Sequence, residues 1–252
     1  MKKIVKFLPF IILLITAFFV IYVVPFFHPL EIKGKFSPYI YTVYGDHVEI
    51  KWYHGNDTVV DVPAVLLGHK VTTIGKRAFY ENEAIKKVVL PDSIEILDQR
   101  AFAGCINLEE VVFADSIEMI GSRAFEGCIS LKEVDLPSGL NVIYLRTFAG
   151  CDSLERIILP KGLEIINDEA FYHCISMTEV DIPQSVYSIG EYAFGECVKL
   201  EKVNIPDSVT IIDRYAIWKC PNVTIVSAEG STGQKYAEEN GLKWMDLAEW
   251  ED

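Results

Sequence analysis

The sequence has no glycine-rich phosphate loop, no Gly-x-Ser-x-Gly elbow and no His-Glu-x-x-His pair. The usual frames for phosphate handling, acyl transfer and metal-assisted hydrolysis are therefore missing. An Asp-x-Asp-x-Asp-Gly calcium loop is missing as well. The chain has 5 histidines, of which His28, His47, His54 and His69 are scattered before the repeats and His173 stands beside Cys174. Sequence neighbours on a turn need not meet in space, and nothing near Cys174 would activate its thiol. No cysteine precedes Cys105, which excludes a lipid-attached leader, and no two cysteines have the close spacing of a structural zinc site. These absences point to a non-enzyme that needs no cofactor or metal.

Charge is missing from one stretch and unbalanced in the rest. Phe7 to Phe27 is a run of 21 residues without a charge, long enough to cross a hydrocarbon core. Lys2, Lys3 and Lys6 precede it and favour a cytoplasmic N-terminus. The run is longer than the apolar core of a cleavable signal, and Pro25-Phe26-Phe27-His28 offers no small-x-small cleavage site. We therefore expect residues 1–6 in the cytoplasm, a transmembrane signal anchor at 7–27 and a spacer at 28–40. The bulk of the chain is then extracellular. Beyond residue 30 stand 20 basic and all 36 acidic residues, a net charge near −16. Such a surface keeps an extracellular protein soluble and repels nucleic acid and anionic lipid.

What is abundant is repetition. Phe79, Phe102, Phe125, Phe148, Phe171 and Phe194 recur every 23 residues, with Ile217 in the next slot. Three residues later come Cys105, Cys128, Cys151, Cys174, Cys197 and Cys220, with Asn82 in the first copy. Leu108, Leu131, Leu154, Met177 and Leu200 form a further column. A strict period of this length is the signature of a solenoid, in which each coil is stabilised mainly by its neighbours. Within a coil, Glu133-Val134-Asp135-Leu136 alternates as a strand with one buried face, and Pro137 ends it. Pro91, Pro160, Pro183 and Pro206 fill the same column. A second apolar pair follows, such as Leu163/Ile166, and then Asp98, Gly121, Tyr144, Asn167, Gly190 or Asp213, with Gly75 ahead of them. Gly, Asn and Asp at most of these places suggest a turn with positive φ. A short helical turn at the Ala-Phe pair then closes the coil.

The repeats span 71–228 as seven coils. Before them, Tyr39–Tyr44 and His47–Tyr53 read as a hairpin around Gly45-Asp46, giving an N-terminal β cap at 41–70. After them, Ser231-Thr-Gly-Gln234 is a capping box and Asn240-Gly241 a helix end. Leu242, Trp244 and Leu247 can then cover the last layer, so 229–252 is a C-terminal cap.

Ala101-Phe-Ala-Gly-Cys-Ile-Asn-Leu-Glu-Glu-Val and Ala124-Phe-Glu-Gly-Cys-Ile-Ser-Leu-Lys-Glu-Val carry a resemblance. With Lys70-Val-Thr-Thr-Ile-Gly-Lys-Arg-Ala-Phe79 they resemble the BspA-type leucine-rich repeat of bacterial surface antigens. The likeness covers about residues 59 to 245. It implies a leucine-rich-repeat solenoid on a cell surface, mainly β with short helical turns, serving adhesion or protein binding.

Two features bear on function. The cysteines of adjacent coils lie within reach of disulfide formation, but every side chain in a column points into the core. A ladder of buried free thiols is therefore favoured, with disulfides as the alternative. The outward face of the main sheet is the candidate partner site. Its first column reads Lys87, Glu110, Glu133, Arg156, Glu179 and Lys202, continuing to Ile225. Its second reads Val89, Val112, Asp135, Ile158, Asp181 and Asn204, continuing to Ser227. Val89, Val112 and Ile158 are possible apolar anchors, while Glu133, Arg156 and Glu179 form a row that can instead stabilise neighbouring strands. The partner is expected to be a protein or a host or matrix component, with the N-terminal helix holding the membrane. A structural envelope or spacer protein without a specific ligand is the alternative.

Overall fold

The computed structural model describes residues 30–33 and 38–250; the expected cytoplasmic N-terminus and the anchor at 7–27 lie outside them. Among the described residues no helix is long and apolar enough to cross a membrane. The chain begins with β1 (Leu30–Lys33), β2 (Tyr39–Tyr44) and β3 (His47–Tyr53), antiparallel neighbours around a turn at Gly45-Asp46. The stretch read as a spacer therefore supplies β1 and the start of β2. Next come β4 (Val59–Asp61), β5 (Val65–Leu66) and β6 (His69–Ile74).

From there each coil contributes one three-residue and one two-residue strand. They run β7 (Lys87–Val89), β8 (Ile96–Leu97), β9 (Glu110–Val112), β10 (Met119–Ile120), β11 (Glu133–Asp135) and β12 (Val142–Ile143). The series continues with β13 (Arg156–Ile158), β14 (Ile165–Ile166), β15 (Glu179–Asp181), β16 (Ser188–Ile189), β17 (Lys202–Asn204) and β18 (Ile211–Ile212). The end is β19 (Thr224–Ser227), helix α1 (Thr232–Asn240), β20 (Lys243–Asp246) and the short α2 (Leu247–Trp250).

Equivalent strands of successive coils stack in parallel, as at Glu133↔Arg156 and Ile165↔Ser188. Among the described residues the main face holds nine strands rather than seven, because both caps join it. β4 pairs with β7 at the front, and β20 with β19 at the back. In the same way β3 pairs with β6 and starts the second face one period early, at Val48↔Val71.

The aromatic column is a continuous stack. Phe102, Phe125, Phe148, Phe171 and Phe194 are fully buried, with ring centroids 5.3–5.6 Å apart between successive coils. The stack starts earlier than the repeat. Tyr53 of the cap lies 4.9 Å from Phe79, and its N–H donates to Ala78 at 2.7 Å.

The Ala-Phe segment forms no helix. Single i→i+3 turns are each interrupted by a residue at positive φ, first at Arg77, Arg100, Arg123, Arg146, Glu169 and Tyr192, then at Glu81, Gly104, Gly127, Gly150, His173, Glu196 and Lys219. With left-handed residues four apart, every second N–H of the segment points toward the following coil. Arg100 donates to Ser122, Phe102 to Ala124 and Gly104 to Glu126, at 3.1, 2.8 and 2.8 Å. This third ladder offsets the cost of left-handed non-glycine residues, roughly 1–2 kcal/mol each. The positive φ expected at Gly75, Asp98, Gly121, Asn167 and Gly190 is corrected accordingly, since it falls two residues later, and after Asp213 that position has none. At Gly121 and Gly190 the missing Cβ serves close approach instead. A Cβ on Gly121 would stand 2.9 Å from the backbone nitrogen of Gln99, and one on Gly190 2.6 Å from that of Asp168.

The last coil has no successor, and the cap substitutes for it. The Tyr236 hydroxyl accepts from the Ile217 N–H at 3.0 Å and donates to the Arg214 carbonyl at 3.4 Å. Ser231 caps α1 by accepting from the Gln234 N–H, Gln234 returns to the N–H of Gly230, and Gly241 closes the helix in the left-handed region. Leu242 and Trp244 pack against the core, as the capping pattern suggested.

Candidate partner-binding face

The outer side of the main sheet carries the candidate residues in the expected alternation up to β17. Val88, Val111, Val134, Ile157, Val180 and Val203 point inward and are buried. Glu110, Glu133, Asp135, Arg156, Glu179 and Asp181 point outward and are exposed. Lys87, Val89, Lys202 and Asn204 are half-buried, so Val89 offers less surface than expected. Val112 and Ile158 are 39% and 42% exposed and remain the apolar anchors of the two columns.

Beyond β17 the expected columns slip. The last coil is one residue shorter, so Lys202 faces Thr224, Val203 faces Ile225 and Asn204 faces Val226. A one-residue shift reverses every side chain. Ile225 is therefore a core residue, and Ser227 is buried, bonded to Trp244 Nε1 and Ser231 Oγ at 3.0 Å each. Both leave the candidate surface.

The ladder is not continuous. The main sheet divides into β4-β7-β9, β11-β13 and β15-β17-β19-β20, with no strand pairing between β9 and β11 or between β13 and β15. Each break opens a groove. One, of about 510 Å³, is lined by Glu133, Glu155, Arg156, Ile158, Leu159, Thr178, Glu179 and Asp181. The other, of about 290 Å³, brings Val112, Phe113 and Asp115 against Asp135 and Pro137. On one side of each break the inward residue is less completely covered, Ile157 and Val111 at 8% exposure, whereas Val180 and Val134 across the breaks stay at 1% and 3%.

Charge pairing follows the same division. Lys87 bonds Glu110 at 2.7 Å and Lys86 bonds Glu109 at 3.1 Å, both across the intact β7–β9 pair. Among the ion pairs of the described residues none involves Glu133, Arg156 or Glu179. The alternating row therefore does not tie these strands together, and its guanidinium and carboxylates surround the larger groove unpaired. The lining residues Glu155, Leu159 and Thr178 were absent from the sequence reading, because a break in strand pairing leaves no mark in a regular repeat.

The remaining reactive groups are inward. All six cysteines are free and buried. Each thiol donates to a phenylalanine carbonyl of the preceding coil, as Cys151 to Phe125 at 3.3 Å and Cys174 to Phe148 at 3.2 Å. Asn82, in the cysteine slot of the first coil, donates in the same direction to Gly55 at 3.1 Å. Burial pushes Cys105 up to about 12 and Cys220 up to about 11, and raises the four between them well above the usual thiol range. Such thiols stay protonated and unreactive. His173 turns away from Cys174 and meets Asp152 at 3.1 Å. Among the described residues no group of three or more His, Cys, Asp or Glu is placed to hold a metal ion.

A stack of short parallel strands, with an apolar column inside every coil, defines a leucine-rich-repeat solenoid. The family of BspA type leucine rich repeat regions matches residues 72–177 and 164–236 with 6 copies, and the chain belongs to that family. Among solved structures the chain is similar to a leucine rich repeat protein of T. pallidum, at 24% identity and a TM-score of 0.50, over 86% of this chain and 98% of that one. It is also similar to a leucine-rich repeat protein from Eubacterium ventriosum ATCC 27560, at 22% identity and a TM-score of 0.65 over 72% of this chain. It spans 48% of the latter's length, and both likenesses concern the fold. No curated protein matches the chain.

Proposed function

We propose that the protein is a membrane-anchored cell-surface solenoid that binds another protein, or a host or matrix component, through the outer face of its main sheet. The observation that carries this is the break between β13 and β15. There an exposed Ile158 lies beside Arg156, Glu133, Glu179 and Asp181 in one groove, with the charges free of ion pairs. An apolar anchor surrounded by unpaired charge is the composition of a recognition patch rather than of an inert wall. The buried, protonated cysteines and the dispersed histidines support a binding role over a catalytic one. At the N-terminal end of the same sheet the Lys87–Glu110 and Lys86–Glu109 pairs favour simple strand stabilisation, so the binding role is assigned to the middle of the stack.

The test is site-specific photo-crosslinking on intact cells carrying the full chain. A crosslinker at Ile158 should trap a discrete partner, whereas one at Lys87 should not. Arg156→Ala should abolish the trapped species without changing surface expression. Equal trapping from both positions, or none from Ile158, removes the assignment.

A further inference from the structure

The second face carries a feature that the binding face does not explain. Its strands bury Leu97, Ile120, Ile143, Ile166 and Ile189, so the residue before each one points outward. Those outward positions are Ile96, Met119, Val142, Ile165, Ser188 and Ile211, all partly or fully exposed. Five of the six are apolar and stand in register within two blocks, Ile96 against Met119 and Val142 against Ile165, with no strand pairing between β10 and β12. Six rungs at about 4.8 Å give a stripe on the order of 24 Å long. Solvent-facing sheet positions are ordinarily polar, so an apolar column interrupted only at Ser188 marks a contact surface.

Within two residues of the stripe the charge has one sign, and Lys70 and His47 of the preceding strands border it only at the first rung, beside Glu95 and Ile96. No Lys, Arg or His stands within two residues of it on any rung from Ile96 to Ile211, whereas Glu95, Asp98, Glu118, Glu164 and Asp213 do. Glu95, Glu118 and Glu164 are exposed and occupy a single column. None of these five carboxylates takes part in the ion pairs of the described residues. The occupant must therefore be cationic along its edges and apolar at its centre.

Its backbone form follows from the sheet. Within each block the inner strands pair with neighbours on both sides, and on this face only β10, β12 and β18 end a block with an unpaired edge. A segment laid along the stripe crosses the strands rather than running beside one, so it has to meet them with side chains. A helix rises 5.4 Å per turn, close to the rung spacing, and brings one apolar position per turn to one side. A second copy of this chain would set acidic rows against acidic rows, and an anionic membrane would be repelled in the same way.

We infer that this stripe is a docking surface for a basic amphipathic helix of a partner protein, of about 16 residues and laid along the solenoid axis. It is separate from the main-sheet face and does not depend on the reading of that face.

The test uses the full chain in phosphatidylcholine nanodiscs, with empty discs subtracted. The probe is a labelled 18-residue Leu/Lys peptide with leucine at helical i, i+3, i+4 spacing, followed by fluorescence anisotropy. Controls are a scrambled peptide of the same composition and a Leu/Glu helix of the same pattern. Saturable binding of the Leu/Lys helix alone is expected, weakened about tenfold by Ile165→Ser and by Glu164→Gln, a loss of about 1.4 kcal/mol. Ile158→Ser on the main sheet should leave it unchanged. Glu164 is exposed, so its variant keeps the test valid if Ile165→Ser impairs folding. Equal binding of the scrambled or Leu/Glu peptide overturns the inference, as does indifference to both stripe variants. Self-association of the chain that Ile165→Ser abolishes, with no peptide binding, also overturns it and makes the stripe a contact between copies.

Discussion

Raising the pH from 8 to 10 should unfold this protein through its cysteine ladder. Six thiols are buried and uncharged, each giving its proton to a carbonyl of the coil before. In the unfolded chain each titrates near the ordinary value of 9.0, whereas in the fold burial pushes Cys105 and Cys220 up to about 12 and about 11 and holds the others well above the ordinary value. Above pH 9 the unfolded state therefore binds fewer protons than the folded one, and stability falls as pH rises. The contribution is fully present below pH 9 and is lost progressively toward the folded values. At pH 10 an unfolded thiol has gained about 1.4 kcal/mol from ionisation that a folded one cannot, so six amount to about 8 kcal/mol. That is comparable to the whole stability of a typical domain, about 5–15 kcal/mol. Tyr39 and Tyr236, each pushed up to about 12 mainly by burial, act in the same direction at still higher pH. The measurement is urea unfolding under reducing, oxygen-free conditions at several pH values, followed by tryptophan fluorescence, with thiolate absorbance recorded in parallel. Cys151→Ala should reduce the loss at pH 10 by about one sixth of the total. Stability independent of pH between 8 and 10, or thiolate appearing near pH 9 while the fold persists, would refute burial of the ladder.

Mass measurement after alkylation should find no modified cysteine in the native protein and six in denaturant without reductant, and fewer than six would mean disulfides. Phe148→Ala should cost roughly 3–5 kcal/mol and make unfolding less cooperative, because it opens a gap in the ring stack. Glu133→Ala, on the exposed face, should stay within about 0.5 kcal/mol in the same assay. Tyr236→Phe should cost about 1–3 kcal/mol by leaving the buried Ile217 N–H without its acceptor. Hydrogen exchange should then accelerate in the last coil while the early coils keep their protection. Gly121→Ala should destabilise by about 1–3 kcal/mol, since its Cβ would press on the Asp98–Gln99 backbone and not on a movable side chain.

Most of the fold is legible in the chain because each coil repeats the same physical solution. The phenylalanine and cysteine columns, the strand before each proline and the helix cap at Ser231 all follow from period and side-chain type. The misreadings lie where one coil differs from the rest or where a backbone does something side chains do not announce. Ile225 and Ser227 were projected outward by counting 23 residues, whereas a coil one residue shorter turned them in. Gly121 and Gly190 read as left-handed turn residues, but the left-handed positions belong to Arg123 and Tyr192, which have no such preference. Tyr53 and Tyr236 extend the core at each end without belonging to the repeat. Of the candidate face, the order of exposed residues was readable as far as Asn204. The breaks that gather Glu133, Arg156, Ile158 and Glu179 were not, since Glu133-Val-Asp135 and Glu179-Val-Asp181 have the same sequence and only one of them pairs with the strand β13.

That asymmetry bears on why the main sheet can serve as a binding face at all. A solenoid whose only intercoil bonds lay in one sheet would come apart where that sheet breaks. Here the coils on either side of the β13–β15 gap are joined elsewhere. Phe148 and Phe171 stack in the core and Ile165 pairs with Ser188 on the second face. On the turn face Glu169 donates to Glu191, Phe171 to Ala193 and His173 to Gly195, each at 2.8 Å. Three lines of attachment therefore hold these coils together independently of the main sheet. At the β9–β11 gap β10 and β12 are unpaired as well, and there the Phe102–Phe125 stack and turn-face bonds such as Phe102 to Ala124 remain. The main sheet can lose its hydrogen bonds at two places without separating the stack, which leaves those places open to an incoming partner. The left-handed residues that look like strain on the turn face are thus part of what lets the opposite face stay open.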